Sequence, residues 1–385
     1  MMAMIKTRRG ASSGFSLIEM LVAIAVFTIL MIGLLNLLDN SSKVSKIEAA
    51  LADTQENVRY ATYHLMRTAR MMGGSIMPFA RGGGSGNAWA AGEVRNNVGN
   101  STTIFGTNVN TMAGSDVLIL RGFFDVPPFF IRPTDVSPGA PGTVTIREHT
   151  GPSGSERVIN DLTQYATLGT DIFIGRGLIM ATGEGLTQVT GTQNVGGQYV
   201  VGQITTDTGV TGTVPDRTLV LTFDAHADWN ALNPNGAALG GSDPTFRASR
   251  AGVLEAFAYY VDPQMVLRRF AQRDALLGNG PQPVAVNIGN LQIELGVDIN
   301  GDDFLNPATE WVASPTLVGA LQGNGALAMR MTVLGRTPFE LADWTEPAAT
   351  FAGAGDMTAP VAGSAGPRHA KWRRMEVAVA LRNFM

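Results

Sequence analysis

The chain has 385 residues, 45% of them hydrophobic and 16% charged, with a formal net charge of −4. That mild acidity argues against a nucleic-acid partner, because phosphate neutralisation needs clustered Lys and Arg. The absence of cysteine excludes disulfide scaffolds, thiolate metal sites and cysteine nucleophiles.

Residues 1–14 carry Lys6, Arg8 and Arg9 and no acid. An apolar run, FSLIEMLVAIAVFTILMIGLLNLL, then fills 15–38 and is long enough to cross a bilayer as a helix. The basic leader should stay cytoplasmic, which sends the remainder of the chain outward. A secretory signal peptide fits badly, since the run is too long and no small-x-small cleavage site follows it. A bare signal anchor fits better, with one residue against it. Glu19 lies five positions into the run, and a mid-membrane carboxylate costs on the order of 2.5–3.5 kcal/mol. Closer to the interface the cost is smaller, but the placement still asks for a partner. An amine at the start of the same helix on a neighbouring subunit would supply one.

Gly14-Phe15-Ser16-Leu17-Ile18-Glu19 resembles the type III signal of type IV prepilins and pseudopilins. The resemblance implies that a membrane prepilin peptidase cuts after Gly14 and that the new N-terminal residue, Phe15, is methylated. It also implies that Glu19 pairs with the N-terminal amine of an adjacent subunit during assembly. The partners implied are other pilins (major and minor), the peptidase, an inner-membrane assembly platform and lipid around 15–38. The protein would sit in the inner membrane by a single pass, its head periplasmic, before joining an extracellular pilus.

From 39 to 72 the helical pattern continues with a polar face. Val44, Ile47, Leu51, Val58, Ala61, Leu65 and Met72 recur at three- and four-residue steps, a stripe suited to docking on a globular part. No proline interrupts 15–77, and Gly73-Gly74 is a natural stop.

Residues 73–385 hold most of the 46 glycines, punctuation that suits a β-rich head with many turns. Strand-like runs occur at 116–121, 143–148, 171–181, 198–205, 217–223, 253–261, 265–270, 291–297, 327–334 and 375–381. Loops rich in Gly, Pro, Asn and Ser are expected at 79–100, 133–142, 150–156, 228–250, 278–284 and 343–370. The fold class expected is α+β: a long N-terminal helix, its first half transmembrane, packed on a β-rich pilin-type head. An inserted subdomain at about 115–225 is compatible with the strand spacing.

Several stretches are similar to the PilW group of minor pilins. They are 58–61 and 65–74 at the helix end, GNLQIELGVDINGD at 289–302, AMRMTVLGRTP at 328–338 and RRMEVAVALRN at 373–383. That resemblance implies a minor pilin that assists or primes filament assembly, with the tip as a location. The minor pseudopilins of type II secretion share the same leader and architecture and remain an alternative. So does a pilus-displayed adhesin.

Little recommends an enzyme. His64, His149, His226 and His369 are scattered without metalloprotease spacing, and neither a nucleophile elbow nor a phosphate loop is present. Gly82 to Gly86 is glycine-rich but follows no strand and lacks the lysine, so it reads as a loop. The basic clusters at Arg268, Arg269 and Arg273, and at Lys371, Arg373 and Arg374, read as solvated strand or loop edges. One segment has site-like chemistry. Asp298, Asn300 and Asp302 alternate as at the start of a calcium loop, with Asn306 and Glu310 following. Against calcium, Asp303 stands where such loops want glycine and Thr309 takes the twelfth position. A polar hairpin turn needs no ion.

Overall fold

The computed structural model describes residues 16–72, 92–132, 136–137, 141–149, 160–181, 199–226, 229, 248–297, 300, 302, 304–306, 309–312, 326–340, 345–351 and 369–380. The chain divides into two compact units, 1–53 and 54–385, with the boundary inside helix α1 (Leu17–Met71).

In the first unit the helix residues up to 46 are exposed. Leu17, Leu21, Ile24, Phe27 and Leu30 are exposed, although no sequence of such hydropathy is at ease in water. Val44, read as part of the docking stripe, is also exposed, at 52%.

In the second unit the helix is amphipathic and its apolar stripe is covered. Val58, Ala61, Leu65, Ala69 and Met72 are buried in one core with residues of the sheets, Leu65 and Ala61 completely. Two polar anchors help fix the helix there. The hydroxyls of Thr68 and Tyr259 are hydrogen-bonded at 3.0 Å, and Tyr259 also meets His64 Nδ1 at 3.3 Å.

The strands run β1 (Gly92–Val98), β2 (Ser101–Ile104), β3 (Thr107–Asn110), β4 (Ser115–Gly122), β5 (Phe129–Phe130), β6 (Val136–Ser137), β7 (Gly142–Arg147) and β8 (Gly177–Ala181). They continue β9 (Tyr199–Thr211), β10 (Thr218–Asp224), β11 (Arg250–Val261) and β12 (Val266–Ala271). After the short helix α2 (Gln272–Leu276) come β13 (Gln282–Val286), β14 (Ile288–Val297), β15 (Trp311–Val312), β16 (Ala326–Arg336) and β17 (Trp372–Ala380). Among the described residues every pairing is antiparallel.

The larger sheet is ordered β1-β4-β11-β8-β9-β10-β7-β6, and the smaller β15-β14-β16-β17. Strand β11 joins the two halves of the larger sheet. Its residues 250–254 pair with β8, whereas 255–259 pair with β4. The sheets are tied together at β4. The wholly buried Asp116 accepts from the backbone N–H of Asn97 (2.9 Å) and, with its other oxygen, from that of Ile293 (2.7 Å).

The helix approaches the smaller sheet at a glycine. A Cβ on Gly335 would lie 2.3 Å from Val58 Cγ2 and 2.8 Å from Thr54 Cγ2, too close for any side chain. Since Val58 is β-branched and stiff, the helix itself must move. Gly335→Ala is therefore expected to destabilise the folded protein by about 1–3 kcal/mol, read as a lower denaturant midpoint.

Several segments differ from expectation, among them β6 (Val136–Ser137), inside the loop expected at 133–142, and the β2–β3 hairpin, which no expected strand covers. Residues 92–98 form an edge strand where a loop is expected, because GEVRNNV is mostly polar and only alternate positions are deeply buried. Residues 282–286 form another edge strand despite Pro283, which an edge tolerates. The run 171–181 is strand only from Gly177. The Asp207 carboxylate accepts the backbone N–H groups of Asp171 and Phe173, each at 2.8 Å, and curls that segment into a turn.

Candidate functional site: the apolar helix and its first turn

Among the described residues one helix is long and apolar enough to cross a membrane, with a mean hydropathy of 2.7 over its most apolar window and none of that window buried. At its start Ser16 and Glu19 form a reciprocal pair. The Ser16 N–H donates to Glu19 Oε2 at 2.9 Å, and the Glu19 N–H donates to Ser16 Oγ at 3.2 Å. This is a capping box, Ser-x-x-Glu, which satisfies two N–H groups that a helix start otherwise leaves unbonded. Glu19 is therefore partnered within its own chain, and the carboxylate is held beside the first turn, where the helix dipole favours negative charge.

Ser16 is the partner of Glu19 that the sequence reading misses, although the three-residue spacing between them is a readable signal. Gly14 and Phe15 lie outside the described residues.

The acidic segment sits between β14 and β15. Asn300 Oδ1 accepts the Asp302 N–H (2.9 Å), and Asp302 Oδ1 accepts the Phe304 N–H (2.9 Å), so these oxygens serve backbone turns. Glu310 is buried, and its Oε2 accepts the Asn306 N–H at 2.7 Å. Asp298 lies outside the described residues. Among the described residues no three His, Asp or Glu side chains are grouped so as to hold a metal ion.

The head also buries a charge cluster that chain order conceals. Arg176, just before β8, is ion-paired with Glu255 of β11 at 2.7 Å, beside Arg273 and Trp229. Burial pushes the Glu255 carboxyl up to about 7; Arg176 and Arg273 oppose this, while the Asp125 carboxyl adds to it. Arg176 Nε, Arg273 Nε and Trp229 Nε1 are buried without a hydrogen-bond partner among the described residues. The space they line is about 10 Å³, on the scale of a single water and far below that of a substrate pocket. The cluster is thus a structural joint between the two halves of the larger sheet.

Residues 9–35 match the prokaryotic N-terminal methylation motif, the prepilin-type signal. The long apolar helix begins inside the matched span, at Leu17, and the motif indicates the type IV pilin or pseudopilin class. It implies processing by prepilin peptidase and assembly with other pilins. No curated protein and no solved structure matches the chain significantly.

Proposed function

We propose that the chain is a PilW-like minor pilin of a type IV pilus that takes part in assembling or priming the filament, with the tip as its location. The observation that carries this reading is the methylation motif on a helix whose apolar residues between 17 and 38 are all exposed. Such a surface needs lipid before assembly and other helices afterwards.

On this reading residues 1–14 are a leader removed after Gly14, and Phe15 becomes the methylated N-terminus. Residues 15–38 hold the subunit in the inner membrane, 39–72 continue the helix, and 73–385 form the periplasmic head. Glu19 then exchanges its bond to Ser16 for the amine of a neighbour. Deleting the gene and imaging the cells tests the role. Loss of all filaments supports priming, and intact filaments with lost attachment point to an adhesin. Intact filaments with failed protein secretion point to a type II pseudopilin.

Calcium at Asp298, Asn300, Asp302, Asn306 and Glu310 is proposed on the oxygen spacing alone. Extracellular modules bind calcium with dissociation constants of roughly 0.1–1 mM. A melting temperature that rises in millimolar calcium and reverts with chelator supports the site. A melt indifferent to calcium leaves a polar turn.

A further inference from the structure

The small space lined by Arg176, Trp229, Glu255 and Arg273 is rich in donors and short of acceptors. Four separate segments build it: the turn before β8, the stretch after β10, strand β11 and helix α2. Arg176 Nε, Arg273 Nε and Trp229 Nε1 are buried there with no acceptor among the described residues, and every buried donor left unmet forfeits its hydration for nothing. The indole is firmly placed. Trp229 is 1% exposed and lies so close to β8 that a Cβ on Gly177 would stand 2.6 Å from its ring.

The charges there do not balance. Among the described residues the charged groups facing Glu255 are Asp125, between β4 and β5, Arg176 and Arg273. Glu255 shares a side-chain hydrogen bond with Asp125, and a bond between two carboxyl groups needs a proton. With that proton on Glu255, two guanidinium cations face one carboxylate, that of the exposed Asp125. One positive charge is left over beside three unmet N–H donors. A space of about 10 Å³ admits one guest of atomic size. Water, with two lone pairs, leaves a donor unmet and the charge uncancelled. A halide ion accepts from all three donors and cancels the surplus.

We propose that this space is a chloride site, in which Arg176 Nε, Arg273 Nε and Trp229 Nε1 donate to one ion and Glu255 takes up a proton along with it. The site concerns the head alone and is independent of the filament role. The folded Glu255 value of about 7 sets the pH range. Below it chloride is held. Above it the Glu255 carboxylate answers the arginines itself and repels the ion, so proton and chloride strengthen each other's binding.

Thermal melts of the detergent-solubilised full chain test this, in sodium chloride and in sodium gluconate at one ionic strength of about 0.1 M. Gluconate is too large for the space and controls for screening. At pH 6 the melting temperature is expected to be higher in chloride by about 2 °C, and at pH 8 the two salts should agree. Glu255→Gln, neutral at both pH values, should show the chloride effect at pH 8 as well. Trp229→Phe keeps an aromatic ring but deletes a donor and should weaken the effect at pH 6. Equal melts in the two salts at pH 6 mean a water molecule only and overturn the site, as does a chloride effect of the same size at both pH values in the natural chain. Should a variant fail to fold, crystals of the natural chain grown in sodium bromide decide. An anomalous bromide peak between Arg176, Trp229 and Arg273 upholds the site, and its absence there overturns it.

Discussion

Glu19→Ala is expected to leave the protein in the membrane at its normal level and to remove it from filaments. The substitution takes a carboxylate out of an apolar run, so insertion should be no worse. It also breaks the capping box with Ser16, at a cost of about 0.5–2 kcal/mol confined to the first turn. The folded unit from Thr54 onward should not sense it. Glu19→Gln separates the two effects. Glutamine can still close a capping box but carries no charge for a neighbour's amine. If charge pairing drives recruitment, Gln fails as Ala does; a Gln variant that enters filaments at the wild-type level means that only the cap matters. Quantitative immunoblots of sheared filaments and of membranes decide between them.

The second large effect concerns Glu255 and pH. Its folded value of about 7 stands above the ordinary 4.5. Between those two values the unfolded chain has released the proton and the folded head still holds it. Stability from this group is therefore complete below 4.5 and is lost as pH rises through about 7. The total is on the order of 3 kcal/mol, with the opposing pull of Arg176 and Arg273 already contained in the value of about 7. Denaturant midpoints at pH 5 and pH 8 should fall in that order. Glu255→Gln should flatten the difference, since no proton is then taken up on folding. A variant whose midpoint keeps the same pH slope would show that other groups set it.

The parts of the molecule that are legible in the sequence are those written in local pattern. The three- and four-residue recurrence of Val58, Ala61, Leu65 and Met72 marks the buried side of α1. The same recurrence extends the stripe too far, to Val44, because periodicity says which side is apolar and not where a partner surface begins. Strands such as β10, with buried positions alternating from Thr218 to Asp224, announce themselves by period two. Strand β1 does not, since an edge strand buries few side chains. The turn at 171–176 reads as strand because its apolar residues are real, whereas the carboxylate that curls it, Asp207, is remote in sequence. For the same reason the Arg176–Glu255 joint is invisible in a linear reading. Glu19 is the opposite case: a charge within an apolar run is conspicuous in any linear reading, and its bond to Ser16 spans three residues.

The account stands or falls on the N-terminus of the mature protein. Purified from cell envelopes and analysed by intact mass and N-terminal peptide sequencing, the chain is expected to begin at Phe15 with a methylated amine, the leader through Gly14 having been removed. A bulky residue in place of Gly14 should leave the longer, membrane-bound precursor. A mature chain that retains Met1, or one that starts beyond residue 30, would contradict the prepilin reading and every assembly role built on it.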